Sequence, residues 1–312
     1  MSALTTTTAI HTLDNRVLFP AGAVISPETL EPLISSHASV SYDSLSLLRY
    51  GSVREDLADF LNAPHYRMIF SGEERTAAVF NDLERVRLIS PLMDVLDYFK
   101  ANDFYTYRHF LAAFALSSLM AHELVPDHAE RNGLVLTGPI HDVGKICMPL
   151  HVLKKAAPLT REEREILTGH TTAGYALLGY YLRDSQSLSS VIARDHHERI
   201  DGSGRPRGIR LEDLLVEIVA ASDVYDALLS PRPYRPSPYD NRTALEVITE
   251  MAEGGQLGWD VVKTLVALNR KDKPRYDEVS IPSDKRGVAP ADNQYGKTAE
   301  DETPEDETSA KK

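Results

Sequence analysis

The sequence predicts a mainly α-helical protein preceded by a small mixed α/β or helical region. Three observations carry this expectation. Helix-start signals recur: Ser26-Pro27-Glu28, Ser90-Pro91 and the capping box Thr160-Arg161-Glu162-Glu163 each put a hydroxyl at the N-cap, followed by proline or acids in the first turn. Between these signals, apolar residues return with the period of an amphipathic helix. A clear strand pattern is confined to Arg16-Val17-Leu18-Phe19-Pro20, where proline ends a short apolar run.

Taken in order, residues 1–90 read as the small N-terminal region. Amphipathic helices are expected within 55–61 and 73–89, while the serine-rich stretch 35–46 has no clear period. No catalytic constellation falls here, so an input, docking or dimerisation role is assigned by elimination. Residues 91–270 read as one helical domain. A helix over about 105–123 gathers His109, Ala112, Ala113, Leu116 and Met120 on one face. A second helical stretch, ending at Gly144, carries His141-Asp142; Pro139 makes it kink or restart, because an interior proline costs ~3 kcal/mol. The helix opened by Thr160 has an apolar face of Ile166, Leu167, Ala173, Gly174, Leu177 and Leu178, with His170 in its middle. A helix over about 188–199 ends on His196-His197. Another, over 211–229, sets Asp223 in line with Leu215 and Val219. Residues 271–312 form a C-terminal extension. Order is expected to fade beyond Lys271, and from about Lys285 the chain reads as a disordered acidic tail.

Composition narrows the function classes. At 42% hydrophobic and 26% charged, the chain is globular in composition, and no apolar run reaches the length of a membrane span. Met1 to Leu18 lacks the basic and apolar regions of a secretion signal. The single cysteine, Cys147, cannot pair internally, which fits a cytoplasmic location; it reads as a small core residue. A net charge of −12 argues against binding a nucleic acid polymer, which needs a basic face. An anionic substrate would need concentrated local positive charge, for which bound metal ions are the obvious source.

His141-Asp142 alone is weak evidence, and a lone inward histidine is more often a hydrogen-bonded core residue than a ligand. The joint pattern is different. His109, His141, His170, His196 and His197, with Asp142 and Asp223, fall on successive helices and mostly on apolar faces. A carboxylate on such a face is costly unless paired or bound to metal. One metal cluster satisfies all seven. No cysteine joins them, so a closed structural zinc site is not expected. Imidazole with a bridging aspartate suits two divalent ions, Fe or Mn above all, with Zn as an alternative. Two such ions ~3.5–4 Å apart can ionise a bridging water for in-line attack on phosphorus. The residues therefore point to phosphoester hydrolysis.

Over 103–267 the chain resembles the HD-GYP family of HD-domain phosphohydrolases. The resemblance rests on Tyr105-Thr106-Tyr107-Arg108-His109, His141-Asp142-Val143-Gly144-Lys145, the stretch 159–170, His196-His197-Glu198-Arg199-Ile200-Asp201-Gly202-Ser203-Gly204, Asp223-Val224-Tyr225-Asp226-Ala227-Leu228 and Arg232-Pro233-Tyr234-Arg235. It implies an all-helical catalytic domain, a metal centre of two or three ions, and hydrolysis of cyclic di-GMP to pGpG, GMP or both. It also implies that the seven residues above are ligands, with Asp142 as the catalytic bridge. Lys145 matches the phosphate-contacting lysine, and Arg232 and Arg235 match the basic pair that holds substrate.

Two departures bear on activity. The signature Gly-Tyr-Pro reads Gly204-Arg205-Pro206, and Pro139 precedes His141. The alternative reading is accordingly a catalytically weak or inactive protein that serves as a cyclic dinucleotide sensor or protein-docking module. A protein partner would use the loop at Arg205 or the N-terminal region. Members of the family with a third ion resemble a pattern with glutamate four residues before the first histidine. Tyr105 stands there instead, so two ions are expected.

Overall fold

The computed structural model describes residues 4–231, 237–282 and 284–291. Its N-terminal part pairs short antiparallel strands: β1 (Leu4–Thr5) with β4 (Val24–Ile25), and β2 (Ile10–His11) with β3 (Val17–Phe19). Helix α1 (Pro27–His37) follows, with Ser26 at its N-cap and proline at its first position, as the sequence predicts. Strand β5 (Ser44–Ser46) is placed before α2 (Val53–Leu61) and α3 (Glu73–Arg85), and pairs with β6 (Arg87–Ile89). The helix expected within 73–89 is α3, and the last residues of that window form a strand.

Helices α4 (Ser90–Asn102) and α5 (Phe104–Leu124) come next. Nearly every residue of α5 from Thr106 to Ala121 is buried, so this helix is hydrophobic all round and lies at the centre. Helix α6 (His128–Thr137) is capped by the Asp127 carboxylate, which accepts from the Glu130 N–H at 2.8 Å. It ends at Gly138, whose φ of 68° and ψ of −172° belong to a region that only glycine occupies readily. The expected helical stretch through His141-Asp142 to Gly144 does not form. Those two residues lie in a turn, and a short 3-10 helix, Val143–Cys147, follows.

After α7 (Leu150–Leu153), the capping box at Thr160 forms as expected and opens α8 (Arg161–Thr168). The chain breaks at Gly169, and His170 begins a separate helix, α9 (His170–Leu182). Gly144 packs against this helix so closely that a Cβ there would collide with the carbonyl oxygen of His170 and the backbone of Gly174. Helices α10 (Leu188–Asp195), α11 (Leu214–Leu229), α12 (Asn241–Glu253) and α13 (Trp259–Leu268) complete the bundle.

One apolar core joins residues from Leu47 to Leu268, so α2, α3 and α4 share it with α5, α11, α12 and α13. A second core seats Leu4, Ile10, Phe19, Ile25, Leu30 and Ile34 on the outer face of α9, against Tyr175, Ala176 and Tyr180. Cys147 flanks this second core; burial pushes its thiol up to about 11, and it lies off the histidine cluster. The chain beyond Lys271 is better held than the sequence suggests. Val279 is buried, Lys285 pairs with Glu253 at 2.5 Å, and the Arg286 and Gly287 N–H groups donate to Glu246 on α12. The acidic stretch from residue 292 lies outside the described residues.

Candidate metal centre

Three helices and two turns deliver the seven predicted residues to one place. His109 comes from the first turns of α5, His170 from the start of α9, and Asp223 from the middle of α11. His196 is the residue that caps the C-terminus of α10, and His197 follows it in the turn. His141 and Asp142 come from the turn after α6. The sequence expectation of ligands on five successive helices is therefore corrected in detail: four of the seven, His141, Asp142, His196 and His197, are turn residues. All are buried except His197, which is half-buried.

Asp142 is the centre of this arrangement. Its Oδ2 lies 3.5 Å from His109 Nε2 and 3.6 Å from His141 Nε2. Its Oδ1 faces the other way, 3.1 Å from His170 Nε2 and 3.6 Å from His196 Nε2. Asp223 straddles in the same manner: Oδ1 is 3.1 Å from His109 Nε2, and Oδ2 is 3.8 Å from His197 Nδ1. The ligand atoms form two groups, His109 with His141, Asp142 and Asp223, and His170 with His196 and His197.

Buried polar atoms normally find a hydrogen-bond partner. Here Asp142 Oδ1, His170 Nε2 and His196 Nε2 are buried and make no hydrogen bond. Each of those imidazoles donates its Nδ1–H to a backbone carbonyl, His170 to Leu167 at 2.6 Å and His196 to Ile192 at 3.0 Å. That fixes the tautomer and leaves a bare Nε2 lone pair beside a bare carboxylate oxygen. A divalent cation fits this set of donors.

The charges agree with it. Burial holds His141 down to about 3 and also lowers His170 and His197, so these rings are neutral. Burial opposes a charge on His109 as well, but Asp142, Asp223 and Asp226 outweigh it and raise that ring to about 10. The same carboxylates that hold a proton there would hold a cation in its place. Burial works to raise Asp142, yet the Lys145 ammonium, with the hydrogen bond from His109, keeps it well below the usual carboxylate range. Lys145, on the 3-10 helix, pairs with Asp142 Oδ2. Arg232 and Arg235 lie outside the described residues.

Sequence reasoning missed two carboxylates. Asp226, one turn after Asp223 on α11, accepts from His109 Nδ1 at 2.6 Å and orients that ring. A second acid on the apolar face of α11 is the signal that pointed to it. Glu198 is fully buried and accepts from the N–H groups of Arg207 and Ile209 at 2.7 and 3.1 Å. It ties the loop holding Gly204-Arg205-Pro206 to the end of α10.

The chain is similar to several known proteins. A family model described as HD domain matches residues 92–258. A cyclic di-GMP phosphodiesterase of Thermotoga maritima is 38% identical over 141 residues, which is 44% of this chain and 38% of that protein. The cyclic di-GMP phosphodiesterase response regulator RpfG of Xanthomonas campestris is 40% identical over 122 residues, 38% of this chain and 32% of that protein. A 3'3'-cGAMP-specific phosphodiesterase of Vibrio cholerae is 32% identical over 203 residues, 64% of this chain and 44% of that protein. The chain thus spans less than half the length of each of these relatives. Among the described residues, no helix is long and apolar enough to cross a membrane.

Proposed function

The chain belongs to the HD domain family, and we propose that it is a metal-dependent phosphodiesterase that hydrolyses cyclic di-GMP to pGpG, GMP or both. The observation that carries this reading is Asp142, whose two oxygens face two separate groups of imidazoles. Two divalent ions, Fe or Mn, are the cofactors this donor set favours. His109, His141, Asp142 and Asp223 would hold one, and His170, His196 and His197, with the second oxygen of Asp142, the other. When bound, the ions supply Lewis acidity at phosphorus and lower the pKa of the attacking water. Tyr105, a neutral phenol one turn before His109, makes a third ion the less favoured count.

The chain's own groups do the rest. His141, His170 and His197 are neutral and need lose no proton to bind a cation. Lys145 puts an ammonium at Asp142, the charge that a phosphoryl oxygen requires. Arg232 and Arg235 are assigned to hold the substrate's phosphate and guanine, for which planar bidentate donors are suited. Cyclic di-GMP has two phosphodiester bonds: one hydrolysis opens the ring to pGpG, and a second yields two GMP.

The resemblance to a 3'3'-cGAMP-specific phosphodiesterase supports a second reading, in which a different cyclic dinucleotide is the better substrate. Arg205, in the position of the signature tyrosine, supports a third, a binder without turnover. One experiment separates them. Full-length protein purified without oxygen is analysed for metal and incubated with cyclic di-GMP or 3'3'-cGAMP. Faster turnover of cyclic di-GMP supports the proposal, faster turnover of cGAMP the second reading, and binding without turnover the third.

A further inference from the structure

The part of the chain between α2 and α3 contributes one buried side chain to the neighbourhood of the metal centre. Tyr66 is fully buried, and its hydroxyl donates to Asp226, 160 residues further along. Asp226 is itself fully buried. The guanidinium of Arg108 spans both of its oxygens, at 2.9 and 2.7 Å. The Oδ2 atom meets His109 Nδ1 at 2.6 Å, while the other ring nitrogen of His109 faces Asp223 at 3.1 Å. His109 is therefore held between two carboxylates from successive turns of α11, and the Tyr66 hydroxyl holds the outer one on its far oxygen, Oδ1.

We propose that Tyr66 is a positioning residue for the metal centre, acting through Asp226 on the ring of His109. This rests on the metal-centre reading above. The segment bearing Tyr66 is fixed at several points. Asn241 Nδ2 on α12 donates to the carbonyl of His65 at 2.6 Å, and Arg75 Nη1 on α3 donates to that of Ile69 at 3.0 Å. A displacement of α3 or α12 that reaches residues 62–71 is thus passed to Asp226 and then to a ligand. Residues of the N-terminal region acquire a route to the chemistry without touching substrate.

A hydroxyl that merely satisfied the core would alter stability and leave metal affinity alone. Tyr107 provides that control. It lies on the same helix as His109, is buried, and donates its hydroxyl to Asp56 of α2 at 2.6 Å, away from every ligand. Manganese is titrated into chelator-stripped full-length protein, for wild type, Tyr66→Phe, Asp226→Asn and Tyr107→Phe, with Tm and KM for cyclic di-GMP measured alongside. Outer partners of metal ligands typically change affinity by ~10–100-fold. Asp226→Asn is expected to weaken one manganese site within that range, and Tyr66→Phe to weaken the same site about tenfold, with KM unchanged. Tyr107→Phe is expected to lower Tm only. Wild-type affinity at both sites in Tyr66→Phe overturns the inference, as does an equal loss of affinity in Tyr107→Phe. If Tyr66→Phe does not fold, wild-type affinity in Asp226→Asn overturns it instead. Wild-type protein that binds no manganese overturns the metal-centre reading and this inference together.

Discussion

Helix α5 carries a histidine paired with a buried carboxylate towards each end, and only one of the two imidazoles faces further ligand-type groups. Near its N-terminus, His109 Nδ1 meets Asp226 at 2.6 Å; near its C-terminus, His122 Nε2 meets Asp82 at 2.9 Å. Both acids have further donors, Arg108 and Tyr66 on Asp226, Ser118 on Asp82 at 2.5 Å. The difference is what the rest of the imidazole faces. The second nitrogen of His109 meets the buried side chains of Asp223, Asp142 and His141, whereas the His122 side chain is 38% exposed. The dyad itself is thus a structural unit. It becomes a candidate ligand only where a second set of ligand-type groups converges on the other nitrogen.

The largest effect expected at the N-terminal end comes from Asp142→Ala. This carboxylate is the contact shared by both groups of imidazoles, so its loss should empty both metal sites. Turnover is expected to fall about a thousandfold or more, ~4 kcal/mol of barrier. Metal analysis and a cyclic di-GMP assay check it. A variant with both ions in place and a normal rate would falsify the site assignment and erase the contrast between the two ends of the helix.

Asp82→Ala probes the other end, with stability as its readout. The variant leaves the Ser118 hydroxyl buried without its acceptor, and a lost buried partner costs ~1–3 kcal/mol. Metal content and kcat are expected to stay at wild-type values. The pH dependence has a definite sign. Burial works to raise the Asp82 pKa, but hydrogen bonds from His122 and Ser118 overcome it and leave it lowered. A carboxyl depressed in the folded state contributes stability above its unfolded value of ~3.9 and loses it as pH falls. The gap in denaturation midpoint between wild type and Asp82→Ala should therefore be full at neutral pH and narrow in acid. A gap that widens in acid, or a loss of metal in this variant, would show that the two ends are not distinct.

The contrast also explains what the sequence could reveal. Seven polar groups set among apolar residues are legible because burial makes each one costly alone, and the fold gathers all seven. The mainly helical class and the starts of α1 and α8 are legible from local capping, which depends only on neighbouring residues. Other features depend on tertiary contacts. The turn at His141-Asp142 exists because Gly138 ends α6 and Gly144 lets α9 approach, and neither requirement has a local period. Asp226 could be suspected from its place one turn after Asp223, but nothing local connects it with Tyr66. The break at Gly169, which makes His170 a helix start, was hidden within a continuous apolar pattern.

The smallest effect is expected at the loop that departs from the family signature. Arg205 is exposed, and the loop around it is anchored through its backbone. Its backbone N–H donates to the carbonyl of His197 at 3.1 Å, a bond that any non-proline residue would make. Glu198 fixes the far side of the loop through the N–H groups of Arg207 and Ile209. Gly204 lies so close to the backbone of Glu198 and Arg199 that a Cβ there would collide with it. In each of these anchors the loop contributes backbone groups, which Arg205→Tyr retains, so the His196-His197 turn should stay in place. The substitution does remove a positive charge that, behind burial and His196, helps to keep His197 neutral. Burial alone opposes a charge on that ring, so the change in kcat is expected to stay within about threefold, ~0.7 kcal/mol. Steady-state kinetics with metal-loaded full-length protein decide it. A hundredfold rise in kcat, ~2.7 kcal/mol, would make position 205 part of the catalytic machinery and would place this exposed loop with His109, not with His122.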